Sequence, residues 1–138
     1  MTHSIVKVEE NQMVALFKNP ERKEYHLYSV DGCVVTEGSR CDYLVSEVGG
    51  ASVFVELKGK DVAHACEQLH ATISNPVIKD LRENKVGFLV VCSKYPRFDS
   101  FVARAKTQFA KKYKAGFHVV TKRVEVDIHV VAAIDGRI

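Results

Sequence analysis

The sequence lacks several patterns that would place it in a specialised class of protein. Its four cysteines include no CxxC pair, so their spacing indicates neither a zinc ribbon nor a thioredoxin-like redox site. No apolar run approaches the roughly 18 residues needed to cross a membrane. The N-terminus has neither the basic start nor the apolar stretch of a signal peptide. We therefore expect a cytoplasmic protein with reduced thiols and no membrane partner.

The chain also contains no linker, internal repeat or low-complexity tract that would divide it. Its 138 residues suffice to bury one core, and the 46% hydrophobic and 27% charged residues are ordinary values for a globular protein. We therefore predict a single domain spanning residues 1–138.

The net charge of the chain is small, but it is unevenly distributed. Residues 97–123 contain eight basic side chains and the single acid Asp99, which leaves +7. Since the whole chain carries +3, the remainder sums to −4. This pattern suits a polyanion such as a nucleic acid held beside a carboxylate site, although a charge run of this kind is more often an ordinary solvated face. The residues that we predict to bind nucleic acid are Arg104, Lys106, Lys111, Lys112 and Lys114.

Hydrophobic periodicity predicts an alternating series of helices and strands. Tight turns join the first three strands into an antiparallel meander. The uniformly apolar run that follows the second helix predicts a central strand, parallel to the strand before that helix. The sequence thus predicts an α/β fold with the order α β β β α β α β and a mixed central sheet flanked by helices. The predicted elements are a helix at 8–17, strands at 24–30, 41–48 and 51–58, a helix at 61–75, a strand at 86–93, a helix at 96–114, and one long strand or bent pair at 117–134.

Glu56 and Lys58 stand two residues apart in a predicted strand, so their side chains share one face. A solvated strand face is the simpler interpretation. However, the second and third strands are adjacent and antiparallel, so Asp42 can meet Glu56. Two neighbouring carboxylates repel each other, and a hard cation such as magnesium relieves that repulsion. The Leu57 carbonyl can supply a third oxygen, and Lys58 can orient or deprotonate an attacking water or stabilise charge on a phosphate.

The spacing of these residues matches a known family. Asp42 in CDYLV precedes Glu56 and Lys58 in VELKG, with Gln68 in the following predicted helix. This arrangement resembles the PD-(D/E)XK nuclease superfamily over about residues 8–95. The resemblance rests on the acids and the lysine standing on the second and third strands of the predicted order, and it implies a restriction-endonuclease-like core.

The resemblance also implies roles for these residues. It assigns Asp42 and Glu56, with the Leu57 carbonyl, as ligands of Mg²⁺ or Mn²⁺. Lys58 becomes the catalytic lysine, and Gln68 becomes a catalytic helper near the site. Members of the family often add an acid from the first helix, for which Glu9 and Glu10 are both candidates.

The activity implied by the resemblance is that of a metal-dependent endonuclease, with DNA favoured over RNA as substrate and RNA left open. Specificity would come from substrate structure, as in a resolvase, from a partner in a defence or repair system, or from a homodimer that sets two sites against two strands. Two alternatives stay open. One is a nuclease-like domain that binds nucleic acid or a protein without cutting, and the other is a structural domain whose charged strand has no chemical role.

Overall fold

The computed structural model describes residues 1–30, 41–59, 62–94 and 99–138. The side chains of residues 58, 59 and 99 lie outside this description. Its elements in chain order are β1 (Ile5–Glu10), β2 (Met13–Lys18), β3 (Tyr25–Ser29), β4 (Tyr43–Glu47), β5 (Ala51–Gly59), α1 (Val62–Ile73), α2 (Pro76–Leu81), β6 (Lys85–Cys92), α3 (Asp99–Tyr113), β7 (Gly116–Thr121), β8 (Arg123–Val126) and α4 (Ile128–Ala132).

A five-stranded mixed sheet in the order β3-β4-β5-β6-β7 forms the centre of the fold. β3, β4 and β5 pair antiparallel, as the predicted meander requires. β6 lies parallel to both β5 and β7. It is buried from Val86 to Cys92, because strands covered on both faces need apolar side chains on both. The α/β class with a mixed sheet flanked by helices is confirmed.

The predicted N-terminal helix at 8–17 is wrong, because this part of the chain forms the antiparallel hairpin β1–β2. Buried Val6 and Val8 alternate with exposed lysine and glutamate, which is the period of a strand and not of a helix. Asn11 and Gln12 join the strands with φ values of 52° and 65°, as a tight hairpin turn requires. The hairpin belongs to a second sheet in the order β1-β2-β8. The restriction-endonuclease-like order is therefore not reproduced in full.

The C-terminal prediction at 117–134 is partly wrong. The chain forms the bent pair β7 and β8, with Lys122 at the bend (φ 58°), but its last part is the short helix α4. Asp127 caps this helix, since its Oδ1 accepts a hydrogen bond from the backbone N–H of His129 at 2.8 Å. A second short helix, α2, was not predicted, and Asn75 caps it by accepting from the N–H of Val77 at 2.9 Å.

The two faces of the central sheet bury different partners. Leu44 and Phe54 pack with α1 and α3, whereas Val45 and Val53 pack with the hairpin and α4. Since side chains alternate along a strand, the even-numbered positions of β4 and β5 face the two long helices. None of the helices in the described ranges has both the length and the apolar surface needed to cross a membrane.

Candidate functional site

Asp42 and Glu56 lie opposite each other at the start of β4 and in the second half of β5. Tyr43 pairs with Val55, and in an antiparallel ladder the next pair outward is Asp42 with Glu56. Directly opposite residues present their side chains on the same face, here the face covered by α1 and α3. Asp42 is 3% exposed and Glu56 is 0% exposed. The structure thus brings the two sequence-predicted acids together in a buried setting.

Backbone hydrogen bonds hold Asp42 in place. Its Oδ2 accepts from the N–H of Leu57 at 2.7 Å, and its carbonyl oxygen accepts from the N–H of Val30 at 2.9 Å. A carboxylate that accepts a backbone N–H is oriented by that bond. Asp42 therefore links β4 to the backbone that follows Glu56.

The ladder between β5 and β6 is irregular at this point. Glu56 pairs with Val90, but the next pair is Gly59 with Cys92, so β5 contains one extra residue between Glu56 and Gly59. Such bulges re-aim side chains and are over-represented next to active sites. Leu57 and Lys58 both fall within this interval. The backbone of Lys58 belongs to β5, while its side chain lies outside the described residues.

A chain of two hydrogen bonds connects the acidic pair to α1. The N–H of Cys41 donates to Thr72 Oγ1 at 2.8 Å, and the hydroxyl of Thr72 donates to the carbonyl oxygen of Gln68 at 2.7 Å. The first bond joins residues 31 apart in sequence, and it satisfies a buried N–H that would be costly to leave without an acceptor. Half-buried Gln68 thus belongs to the turn of α1 that is fastened to the residue preceding Asp42.

The pKa of the Cys41 thiol responds to the charges of both carboxylates. Burial raises the pKa of Cys41 well above its usual range, and the negative charges of Glu56 and Asp42 raise it further. Both carboxylates therefore act on the same sulfur atom. The thiol stays protonated at neutral pH, so Cys41 serves as a buried neighbour of the pair and not as a nucleophile.

The sequence left two acids open as additional ligands. Glu9 is exposed and lies 3.9 Å from the ammonium of Lys7. Glu10 is half-buried at the tip of the hairpin, where β2 separates it from the start of β8. The residue before β8, Lys122, donates its N–H to the carbonyl oxygen of Cys92 at 2.8 Å. Glu10 thus lies near the carboxyl end of the central strands, on the hairpin side of the sheet.

The five residues predicted to bind nucleic acid are all exposed, but they do not form one stripe. Arg104 and Lys111 are seven residues apart and share the outward side of α3. Lys106 borders a depression beside His118 and Arg137. The other lysines gather at the end of α3, around a depression whose lining includes Arg82, Lys111, Lys112 and Lys114.

One buried polar cluster had no signal in the sequence. Glu47 Oε1 lies 3.1 Å from His129 Nε2, and its Oε2 accepts from the hydroxyl of Tyr25 at 3.4 Å. Burial and the charge of Glu47 raise the pKa of Tyr25 far above its usual value. These residues meet at the end of β4 away from Asp42. Tyr25 and Glu47 are partners in the β3–β4 ladder, and the packing of α4 on the sheet adds His129.

Comparison with known proteins finds no matching family model, curated protein or solved structure. The function must therefore be inferred from the arrangement of the chain's own residues. Within the described ranges no group of three or more His, Cys, Asp or Glu side chains could hold a metal ion. A site made of two carboxylates and a backbone carbonyl falls below that number.

Proposed function

We propose that this protein is a metal-dependent nuclease that hydrolyses phosphodiester bonds, with DNA as the preferred substrate. The observation that carries the proposal is the buried opposition of Asp42 and Glu56 on adjacent strands, next to the bulge that contains Lys58. Two like charges so placed favour a bound cation. The fit is to a hard divalent ion, since both side chains offer oxygen ligands.

In this proposal Asp42, Glu56 and the Leu57 carbonyl would hold Mg²⁺ or Mn²⁺. The ion, when bound, supplies Lewis-acid stabilisation of phosphate charge and a more acidic water. The hydrogen bond from the Leu57 N–H to Asp42 keeps that carboxylate oriented. Lys58 would orient or deprotonate the attacking water or stabilise charge on the phosphate. The backbone carbonyl of Gln68 is linked through Thr72 to Cys41, the residue before Asp42. Gln68 would act as a catalytic helper near the metal site.

A second candidate is a nuclease-like domain that binds nucleic acid without cutting it. The complete burial of Glu56 favours this candidate, because a carboxylate with no exposed surface meets a hydrated ion only after neighbouring groups move. Binding to DNA without metal-dependent cleavage would be its signature.

The test uses supercoiled plasmid, linear duplex, single strands and a four-way junction, each with Mg²⁺ or Mn²⁺. Glu56→Gln should lower cleavage by about a hundredfold or more if the carboxylate holds the metal. Glu47→Gln is the matched control, since Glu47 is also a buried glutamate but lies at the other end of β4. Cleavage that is equal in wild type and Glu56→Gln, or absent from wild type on every substrate, would exclude the nuclease.

The expected homodimer stays a prediction. Sedimentation equilibrium of the purified protein, alone and with a four-way junction, measures it. A monomer in both conditions would leave a single active site per complex and would favour nicking over paired cuts.

A further inference from the structure

A basic depression lies at the amino ends of the parallel strands, away from the acidic pair. It has a volume of about 270 Å³. Its basic lining residues come from two separate parts of the chain: Arg82 follows α2, while Lys111, Lys112 and Lys114 lie at the end of α3. The rest of its lining is Ile73, Asn84, Val86 and Tyr113. Within the described part of the chain, no acidic side chain lines it.

The four positive charges are not neutralised by neighbouring carboxylates in the ranges that the structure describes. The adjacent acid, Glu83, is engaged elsewhere, since its Oε1 accepts from the N–H of Gly49 at 3.0 Å. Arg82 Nη1 donates to the carbonyl oxygen of Glu83 at 2.9 Å. Its Nε is buried with no acceptor among the described residues. The guanidinium therefore retains both its charge and unused donor capacity.

Ordinary helix electrostatics explain only part of this arrangement. Cations near a helix carboxyl end are stabilised by about 0.3–1 kcal/mol each, which accounts for Lys111 and Lys112 in the last turn of α3. Arg82 caps the carboxyl end of the six-residue helix α2, so the same effect acts on it, but that effect does not explain why the two helix ends converge, because like charges repel one another. The charge of Lys112 also acts on a neighbouring imidazole. Burial lowers the pKa of His70, and the charge of Lys112 lowers it further.

We propose that this depression is a second anchoring site for a backbone phosphate of the bound nucleic acid. The inference rests on the proposed function for the identity of the ligand. Arginine forks and lysine ammonium groups are the usual donors to phosphate. The ammonium of Lys112 also lies 5.6 Å from the centre of the Tyr113 ring, which holds one of the donors beside the depression.

The position of the site sets a minimum length for the substrate. Ala51 pairs with Lys85 near the basic end, whereas Glu56 lies five residues further along β5, or roughly 17 Å at 3.3 Å per residue. The step from β5 to β7 adds about 10 Å sideways. The combined separation of about 20 Å corresponds to about six base pairs of duplex. A substrate that uses both ends of the sheet must therefore extend about six base pairs from the bond that is cut.

The test measures how binding of a 20-base-pair duplex depends on salt, in calcium, for wild type and for Arg82→Gln combined with Lys112→Gln. Each lost phosphate contact should flatten the slope of log K against log salt by about 0.9, so the double variant should lose about 1.8. The matched control is Lys7→Gln combined with Lys18→Gln. It removes the same charge from exposed positions of the β1–β2 hairpin and should leave the slope unchanged.

If the Arg82 variant fails to fold, Lys111→Gln combined with Lys112→Gln tests the same depression from exposed positions and should flatten the slope equally. A slope that is unchanged in a folded variant overturns the site, even if cleavage proceeds. A flattened slope in a protein that never cleaves supports the site and removes only the nuclease. Phosphatidylserine vesicles that bind wild type but not the variant, with the duplex slope unchanged, would also overturn it.

Discussion

The two ends of the central sheet differ in both burial and charge. At the carboxyl ends of the parallel strands, Asp42 and Glu56 are buried against α1 and the strand bulge. At the amino ends, Arg82 and three lysines surround an open depression. Exposed charges are screened by solvent, whereas buried charges are screened much less. This difference is the reason that we propose chemistry at the acidic end and attachment of a larger anion at the basic end.

The largest expected effect at the acidic end comes from Lys58→Ala. It should lower cleavage by about a hundredfold or more if the lysine acts in proton transfer, while binding of Mn²⁺ and of duplex in calcium stays at the wild-type level. Single-turnover cleavage, paired with calorimetry, measures both. Lys85→Ala, exposed at the start of β6, is the matched control. Cleavage by Lys58→Ala at the wild-type rate would rule out this role.

The next effect should appear only at the basic end. Replacing Lys111, Lys112 and Lys114 together by Gln should flatten the salt slope of duplex binding by up to about 2.7, at about 0.9 per contact. Binding of Mn²⁺ should stay unchanged, because these lysines are remote from Asp42 and Glu56. Arg104→Gln, on the outward side of α3, should flatten the slope by at most about 0.9. An unchanged slope in the triple variant would identify the lysines as an ordinary solvated surface.

The smallest effect concerns acid stability. Burial lowers the pKa of His118 and so does Lys106, while its bond to the Val131 carbonyl opposes them. The unfolded chain therefore binds a proton at a higher pH than the folded one. Stability from this group is complete above about pH 6.5, the unfolded value, and is lost as pH falls through the lowered folded value. Urea unfolding at pH 7.5 and 5.5 should show a smaller loss for His118→Gln than for wild type.

A matched control for that measurement is Gln108→Ala, since Gln108 is exposed on α3 and does not titrate. Its loss of stability between the two pH values should equal that of wild type. An equal loss in His118→Gln as well would show that His118 contributes nothing to the acid sensitivity of the fold.

The acidic pair was predictable because it depends on local signals. Turns at short spacing and residues alternating along 41–48 and 51–58 define two antiparallel strands, and their register alone brings Asp42 to Glu56. The hairpin β1–β2 was not predicted, although Val6 and Val8 show the same alternation. The helix α4 has only five residues, too few to show a helical period.

The basic depression was only half predictable. The lysines at the end of α3 are visible in the sequence as a charge run. Arg82 approaches them from the end of α2, and no local sequence pattern predicts that approach. The same holds for Thr72, whose hydroxyl connects Cys41 with Gln68. Contacts between elements depend on packing, which a one-dimensional pattern does not contain.

Calorimetric titration with Mn²⁺ measures whether Asp42 and Glu56 hold a divalent ion, as we propose. The suitable variants are Asp42→Asn and Glu56→Gln. Asp42→Asn is preferred to alanine because the amide oxygen still accepts from the Leu57 N–H, whereas alanine would leave that buried donor unsatisfied at a cost of about 1–3 kcal/mol. Wild type should bind Mn²⁺, and both folded variants should lose that binding. Wild-type affinity in both variants would contradict the assignment.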